Sequence, residues 1–175
     1  DPRFFYLRPV DYGSAASLLI DAKIWGTLGG FDEQFAPAYY EDTDLCFAIR
    51  ALGKRVIYQP GAAVTHFEGV SHGTDTGSGL KSYQVANQSK FLEKWSQELK
   101  GHRANGVEPM LERDRGASAR VLWVEACMLT PNQDSGSLRT FRLLRILAKM
   151  GCKVTFIADN LDGAEPYRSQ LMDEG

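Results

Sequence analysis

The chain has 175 residues, 43% of them hydrophobic and 24% charged, which is typical of a folded globular protein. Its formal net charge of -2 argues against non-specific nucleic-acid binding, which usually requires a basic face. It contains no apolar run that approaches the roughly 20 residues of a transmembrane helix.

Three cysteines, Cys46, Cys127 and Cys152, are widely spaced and form no CxxC pair. Each lies in an apolar periodic segment, which predicts reduced, buried thiols of a cytosolic protein and neither a disulfide framework nor a zinc site. The chain opens Asp1-Pro2-Arg3, with neither an initiating methionine nor a leader that is first basic and then apolar. We therefore expect a fragment of a longer polypeptide.

The first forty residues predict short elements and a loop. Residues 4–8 and 15–20 are aromatic or aliphatic runs that favour strands, the second of them buried. Asp21 is suited to cap a short helical turn, which Gly29-Gly30 then ends. Residues 31–40 have no clear period, and we expect an ordered loop there.

The segment from Asp42 to Leu52 carries good helix signals. Acidic residues occupy its first turn, where the helix dipole favours them. Leu45, Ile49 and Leu52 recur at i, i+4 and i+7, which predicts one buried stripe. Gly53 follows in the position of a C-cap.

The middle of the chain predicts two strands, a loop, a helix and a linker. Residues 55–59 and 62–66 favour strands. The glycine-rich stretch 69–79 has almost no apolar residues, which predicts a mobile loop. A helical pattern returns over 83–99, and the polar stretch 101–119 with its glycines and proline is the best linker candidate.

The composition changes after this linker. Residues 120–127 form a nearly continuous apolar run, which suits a strand buried on both faces. A helix over 137–150 and a second buried strand over 153–158 follow, and 166–173 favours the start of another helix. This strand–helix–strand order is the first unit of a parallel sheet, and the predicted fold class is α/β.

Three crowded carboxylates, Glu41, Asp42 and Asp44, stand at the start of the 42–52 helix. One of them is suited to act as a general base, because crowding raises the pKa of a carboxyl and a sugar hydroxyl is a very weak acid. The alternative is helix capping and compensation of the dipole. Spacing alone leaves both interpretations open.

Other candidates also have two interpretations. Tyr39 and Tyr40 either offer a flat face and a hydroxyl to a sugar or pack in the core. Gly30-Phe31-Asp32 either brings backbone close to a ligand or ends a helix. His66, beside the glycine-rich loop, is a candidate metal ligand or a solvated histidine. Lys81 either meets a phosphate or lies on the surface.

The last third holds one further candidate of this kind. Asp134-Ser135-Gly136-Ser137 directly precedes the 137–150 helix. It either directs backbone N–H groups at a phosphate or sugar, or it caps the helix. It is neither a GxGxxG nor a Walker motif.

Three collinear segments between residues 13 and 99 resemble the C-terminal half of family 2 glycosyltransferases of the GT-A fold. They read GGFDEQF, YYEDTDLCFAIRALGKRVIYQPGAAVTHFEG and GLKSYQVANQSKFLEKW. The resemblance is to bacterial enzymes that add sugars such as rhamnose to surface polysaccharides. It implies an inverting transfer from a nucleotide-sugar donor to a saccharide or lipid-linked saccharide acceptor.

The resemblance also implies roles for individual residues. The catalytic base maps to Glu41-Asp42, with Asp42 favoured, and His66 maps to the metal or diphosphate site. A divalent metal, Mg²⁺ or Mn²⁺, is implied, held mainly by a DxD motif that the family carries further upstream and this chain lacks. Asp42-Thr43-Asp44 has that spelling but stands in the later motif. The implied substrate-binding residues are Gly30, Phe31, Asp32, Tyr40, Asp44 and Lys81.

The tail contains the segment RVLWVEACMLTPNQDSGSLRTFRLLRILAKMGCKVTFIADN, which resembles the opening of a GT-B glycosyltransferase of family 4. The domains expected are therefore a partial GT-A domain over 1–100, a linker over 101–119 and a partial GT-B domain over 120–175. The resemblance implies a parent enzyme in the cytoplasm, at the inner face of the membrane. The chain alone is expected to transfer little, and the alternative is a non-catalytic sugar- or protein-binding remnant of the same fold.

Overall fold

The computed structural model describes residues 6–65 and 79–174, which form a mixed α/β structure as the sequence predicts. The chain divides into two compact units. One comprises Pro9–His102, and the other comprises Arg103–Gly175 together with Asp1–Arg8. Among the described helices, none combines the length and the apolar character needed to cross a bilayer.

The Pro9–His102 unit contains three helices and one small sheet. The sheet joins β1 (Arg8–Val10) to β2 (Val56–Tyr58). Short 3₁₀ turns lie at Ala15–Ser17, Glu33–Phe35, Gly79–Lys81 and Glu98–Gly101. The helices are α1 (Ala22–Leu28), α2 (Glu41–Ala51) and α3 (Ser82–Lys94).

Helix α2 is the centre of this unit, because it is buried on two sides. The predicted helix over 42–52 is confirmed to within one residue, and Gly53 follows it with φ 71°. One side of α2 packs against aliphatic residues of β1, β2 and α1, and the other packs against aromatic residues of α3. The buried members of the two clusters are Leu45, Cys46, Ile49 and Val56, and Phe35, Phe47, Phe91 and Trp95.

The predicted cap and stop of α1 are also confirmed. Asp21 Oδ1 accepts a hydrogen bond of 2.7 Å from the backbone N–H of Lys23, which satisfies one of the free donors of the first turn. Gly29 ends the helix in the left-handed conformation, with φ 78°.

Two strand predictions in this unit are wrong. Residues 15–20 form a 3₁₀ turn followed by irregular chain, and Leu19 is 98% exposed. Residues 62–65 of the predicted 62–66 strand are also irregular, and residue 66 lies outside the described part. An apolar run becomes a strand only where another strand offers hydrogen bonds, and the sequence cannot show that partner. The 55–59 strand is confirmed in a shorter form as β2.

The second unit contains the predicted parallel strand–helix–strand motif. Strand β3 (Arg120–Glu125) pairs in parallel with β4 (Lys153–Ala158), from Arg120 opposite Lys153 to Glu125 opposite Ala158. The remaining helices are α4 (Pro109–Arg113), which lies within the stretch expected to be a linker, α5 (Ser135–Lys149) and α6 (Tyr167–Asp173).

The start of α5 follows the capping interpretation. Asp134 Oδ1 accepts a hydrogen bond of 2.7 Å from the backbone N–H of Ser137, and Thr130 Oγ1 donates to Asp134 Oδ2 at 2.9 Å. Hydrogen bonds from Ser137 and Thr130 hold the pKa of Asp134 below its ordinary value. The carboxylate is therefore engaged as an N-cap.

The expectation that β3 is buried on both faces is wrong for the described structure. Leu122 is 64% exposed and Val124 is 55% exposed, whereas α5 packs against β4. Alternate residues of β3 are exposed, so one face of this strand is not covered by the described residues. The expectation of three buried thiols is corrected as well, because Cys127 is exposed, although Cys46 is fully buried.

Candidate active site at the start of helix α2

The two residues before α2 have an unusual backbone conformation. Tyr39 and Tyr40 have φ angles of 71° and 73°, so two consecutive residues with bulky side chains adopt the left-handed conformation. Each such residue costs about 1–3 kcal/mol, and the surroundings must hold it in place. Tyr40 is the N-cap of α2 without a side-chain capping bond, and its carbonyl accepts from the Asp44 N–H at 2.8 Å.

Asn87 of α3 anchors this strained segment. Its side-chain Nδ2 lies within hydrogen-bond distance of the backbone carbonyls of Phe35 (2.7 Å), Ala38 (2.9 Å) and Tyr39 (3.1 Å), so its two hydrogens are shared among three acceptors. The side chain is fully buried, and its Oδ1 has no hydrogen-bond partner among the described residues. Three carbonyl acceptors fix the orientation of the amide, since only its NH₂ end can bond them.

A second anchor joins α3 to α2 through charge. Lys94 Nζ lies 2.7 Å from Asp44 Oδ1 and 2.8 Å from Asp32 Oδ2, and Trp95 Nε1 donates to Asp44 Oδ1 at 2.7 Å. The hydrogen bond from Lys94 is the main cause that lowers the pKa of Asp32. Burial lowers the pKa of Lys94, but its bonds to both aspartates outweigh burial and raise the pKa above 10.5.

The two carboxylates favoured by the family resemblance differ in their surroundings. Both oxygens of Asp42 accept backbone hydrogen bonds, Oδ2 from the Ala15 N–H at 3.0 Å and Oδ1 from the Thr43 N–H at 2.7 Å. Glu41 is half-buried, and its Oε2 has no partner within the described part of the chain.

The surroundings of Glu41 change the titration of its carboxyl. Burial raises the pKa of Glu41 above 4.5, and the charge of Asp42 raises it further. Hydrogen bonds from the backbone of Glu41 and Tyr39 oppose this rise. A carboxyl with a raised pKa is a candidate general base, and the Oε2 atom of Glu41 is itself buried.

Three further candidates, Gly30, Phe31 and Tyr40, make contacts with aromatic rings. The Tyr40 ring packs on Phe91 with 5.3 Å between centroids, and burial is the main cause that raises the pKa of its hydroxyl. Phe31 is 40% exposed and meets Trp25 edge to face at 5.1 Å. Gly30 has φ 86°, and a Cβ at this position would lie 3.1 Å from the Trp25 ring. Glycine is therefore favoured at position 30.

The structure brings some of the predicted site residues together. Asp44 is 3% exposed and is bonded to Lys94 and Trp95, so these contacts hold α2 against the end of α3. Lys81 ends the 3₁₀ turn before α3 and is half-buried. His66 and the glycine-rich loop up to residue 78 lie outside the described residues. The substrate and metal roles of all these residues stay predictions.

The family resemblance implies a divalent metal held mainly by an upstream motif that this chain lacks, with His66 as a further ligand. Within residues 6–65 and 79–174, no three metal-ligating side chains converge on Glu41 and Asp42. The described residues near the pair therefore do not fit a divalent ion by themselves.

Part of the chain is similar to known proteins. The chain is 37% identical over 76 residues to the N-acetylglucosaminyl-diphospho-decaprenol L-rhamnosyltransferase of Mycobacterium tuberculosis. The match covers 43% of this chain and 24% of that enzyme, so the chain spans about a quarter of its relative. It is also 35% identical over 60 residues to an uncharacterised protein of Sinorhizobium fredii, covering 34% of this chain and 7% of that protein. Neither a family model nor a solved structure matches.

This partial similarity supports a glycosyltransferase role for the matched part of the chain. The comparisons lend no support to the GT-B interpretation of residues 120–175.

Proposed function

We propose that the Pro9–His102 unit is the acceptor-side half of an inverting, family 2 glycosyltransferase of the GT-A fold. The enzyme would transfer a sugar from a nucleotide-sugar donor to a saccharide or lipid-linked saccharide acceptor during synthesis of a bacterial surface polysaccharide. The similarity to the mycobacterial rhamnosyltransferase carries this proposal. The carboxylate pair at the start of α2 supplies a chemically suitable base.

The proposed reaction is a single displacement. A carboxylate of the Glu41–Asp42 pair takes the proton of the acceptor hydroxyl while that oxygen bonds to the anomeric carbon of the donor. The bond between that carbon and the diphosphate breaks, and the diphosphate leaves with the electron pair. Positioned bases of this kind contribute about 10²–10⁴-fold to a rate.

The family resemblance favours Asp42 as the base, but the surroundings of Glu41 make it a second candidate. Asp42 is held between Ala15 and Thr43, which fixes its direction. Glu41 has the raised pKa and the oxygen without a described partner. We propose Asp42 as the base and Glu41 as its neighbour that tunes the charge of the pair, an assignment that single variants separate.

The divalent metal of the family enters no step of this scheme. The described residues around the pair do not converge into a donor set, and His66 lies outside them. The chain's own residues contribute acceptor deprotonation and orientation of the base.

The test uses the complete reading frame that contains this chain, because the chain spans about a quarter of its relative. Nucleotide-activated L-rhamnose serves as donor and N-acetylglucosaminyl-diphospho-decaprenol as acceptor. Asp42→Asn should lower kcat by about 10²-fold or more, with the thermal midpoint unchanged. Glu93→Gln, an exposed carboxylate on α3, is the matched control and should leave kcat unchanged.

The outcomes separate the alternatives. If Asp42→Asn keeps full activity and Glu41→Gln loses it, Glu41 is the base. If both variants keep activity, the pair is not catalytic. If the wild-type enzyme transfers no sugar from any donor but retains saccharide binding, the non-catalytic remnant is the correct interpretation.

A further inference from the structure

One face of α3 holds the whole segment that leads into α2. Lys90 Nζ donates to the Gln34 carbonyl at 2.7 Å, and Lys94 bonds Asp32 and Asp44. Asn87 and Trp95 add the bonds described above. The contributing positions of α3 recur at helical spacing, and they are 87, 90, 91, 94 and 95.

The bonds of Asn87 are informative about the backbone they hold. Successive carbonyls of an extended chain point in opposite directions. One amide group can therefore bond the carbonyls of both Ala38 and Tyr39 only where the backbone turns between them. Tyr39 makes that turn with φ 71°, a conformation that a tyrosine rarely adopts unaided.

This turn also sets the direction in which α2 begins. Tyr40 follows it directly, and the Tyr40 carbonyl accepts the bond from Asp44 that closes the first turn of α2. Glu41 and Asp42 are the first two residues of the helix. Any change of φ at position 39 would rotate both carboxylates.

We propose that Asn87 is a positioning residue for the Glu41–Asp42 pair, because its amide holds the Tyr39 backbone in the left-handed turn that orients both carboxylates. This inference rests on the proposed function, since a positioning role presupposes that the pair reacts. Asn87 itself is fully buried beneath the loop and acts through the backbone.

The variant Asn87→Leu tests the inference, because leucine has a similar volume and no donor. Glycine adopts a positive φ without steric cost, so Tyr39→Gly should make Asn87 dispensable. The double variant Asn87→Leu/Tyr39→Gly is therefore a rescue experiment. Gln84→Leu, which removes an exposed amide from the same helix, is the matched control.

The first readout is NMR of the 175-residue chain. Scalar couplings report the sign of φ at position 39, and a carboxyl titration reports Glu41. In Asn87→Leu we expect a negative φ at Tyr39 and a Glu41 pKa that falls back toward 4.5. The double variant should restore both values, and Gln84→Leu should change neither.

The second readout is transfer by the complete enzyme. A misplaced base lowers the rate by about 10²-fold, so Asn87→Leu should lose about that factor in kcat with little change in KM. The double variant should regain at least about tenfold. A purely structural role predicts no rescue, because Tyr39→Gly would then only add its own loss.

Two results would overturn the inference: a folded Asn87→Leu chain with positive φ at Tyr39 and a wild-type Glu41 titration, or a double variant without rescue. If Asn87→Leu does not fold, recovery of folding in the double variant supports the inference, and failure to recover overturns it. If the wild-type enzyme transfers no sugar while the NMR changes occur as expected, the proposed function fails, and what stands is that Asn87 fixes the backbone at Tyr39 and the orientation of the two carboxylates.

Discussion

Replacing Lys94 with methionine removes the cation that joins Asp32 to Asp44 and keeps most of the apolar stem. Asp44 is 3% exposed, so the variant leaves a buried carboxylate that still accepts the hydrogen bond from Trp95. Breaking a fully buried pair typically costs about 3–5 kcal/mol, and an exposed pair contributes about 0–1 kcal/mol. Because Lys94 and Asp32 are about one-third exposed, we expect a cost of about 2–3 kcal/mol.

The pH dependence of this cost has a definite sign. The pKa of Asp32 is lowered from 3.8, so its contribution is present above pH 3.8 and is lost as the pH falls further. The pKa of Lys94 is raised from 10.5, so its contribution is present below pH 10.5 and is lost as the pH rises through the folded value. The difference between wild type and variant should be largest between these limits.

Urea unfolding followed through the amide signals of residues 9–102 measures this cost separately from the second unit. Lys90→Met is the matched control, because the Lys90 ammonium donates to the Gln34 carbonyl at an exposed position. This variant should lower the free energy of unfolding by less than about 1 kcal/mol. The reasoning is refuted if Lys94→Met costs no more than Lys90→Met at about pH 7. It is also refuted if the difference persists unchanged at about pH 2.

Further predictions concern two glycines and two cysteines. Gly30→Ala should destabilise the Pro9–His102 unit by about 1–3 kcal/mol, because φ is 86° and the Trp25 ring lies 3.1 Å from the new Cβ. Gly26→Ala in α1 should instead stabilise this unit by about 0.5–1 kcal/mol, since no atom lies within 4 Å of the new Cβ. In urea unfolding, the midpoint should fall for Gly30→Ala and rise for Gly26→Ala. With a thiol reagent, exposed Cys127 should react in the native chain, whereas Cys46, fully buried and with its pKa raised by burial, should react only after unfolding. Labelling of Cys46 at the rate of Cys127 would contradict this.

The elements that the sequence predicts well carry their signals locally. Helix α5 begins at an aspartate whose partner is three residues away, and α2 ends at a glycine with positive φ. Such signals depend on neighbouring residues alone, so they are visible without the fold.

The 15–20 segment shows why other predictions failed. Leu18 and Ile20 pack against the aliphatic cluster of α2 while Leu19 points to solvent, which is the alternation of a strand. The described structure contains no strand there, because alternation fixes only which side chains are buried. Hydrogen bonding to a second strand depends on distant residues.

The sequence predicted only part of the candidate site, because only part of the site depends on local signals. Acidic residues at a helix start and the family resemblance drew attention to Glu41 and Asp42. Asn87 was missed because its partners lie 48 to 52 residues away. One signal existed in the sequence, because position 87 is four and eight residues before Phe91 and Trp95 and therefore lies on the same helical stripe as these apolar side chains.

Asn87 lies 48 residues after Tyr39, the residue whose backbone it holds. This separation has a consequence for synthesis on the ribosome. Helix α2 has local signals and can begin to form as soon as it leaves the exit tunnel. The left-handed entry at Tyr39 has no partner until Asn87 has been made, and the bond to Asp44 waits for Trp95. Glu41 and Asp42 are therefore synthesised well before their geometry is fixed, and the site is complete only once α3 has been made and packs against α2.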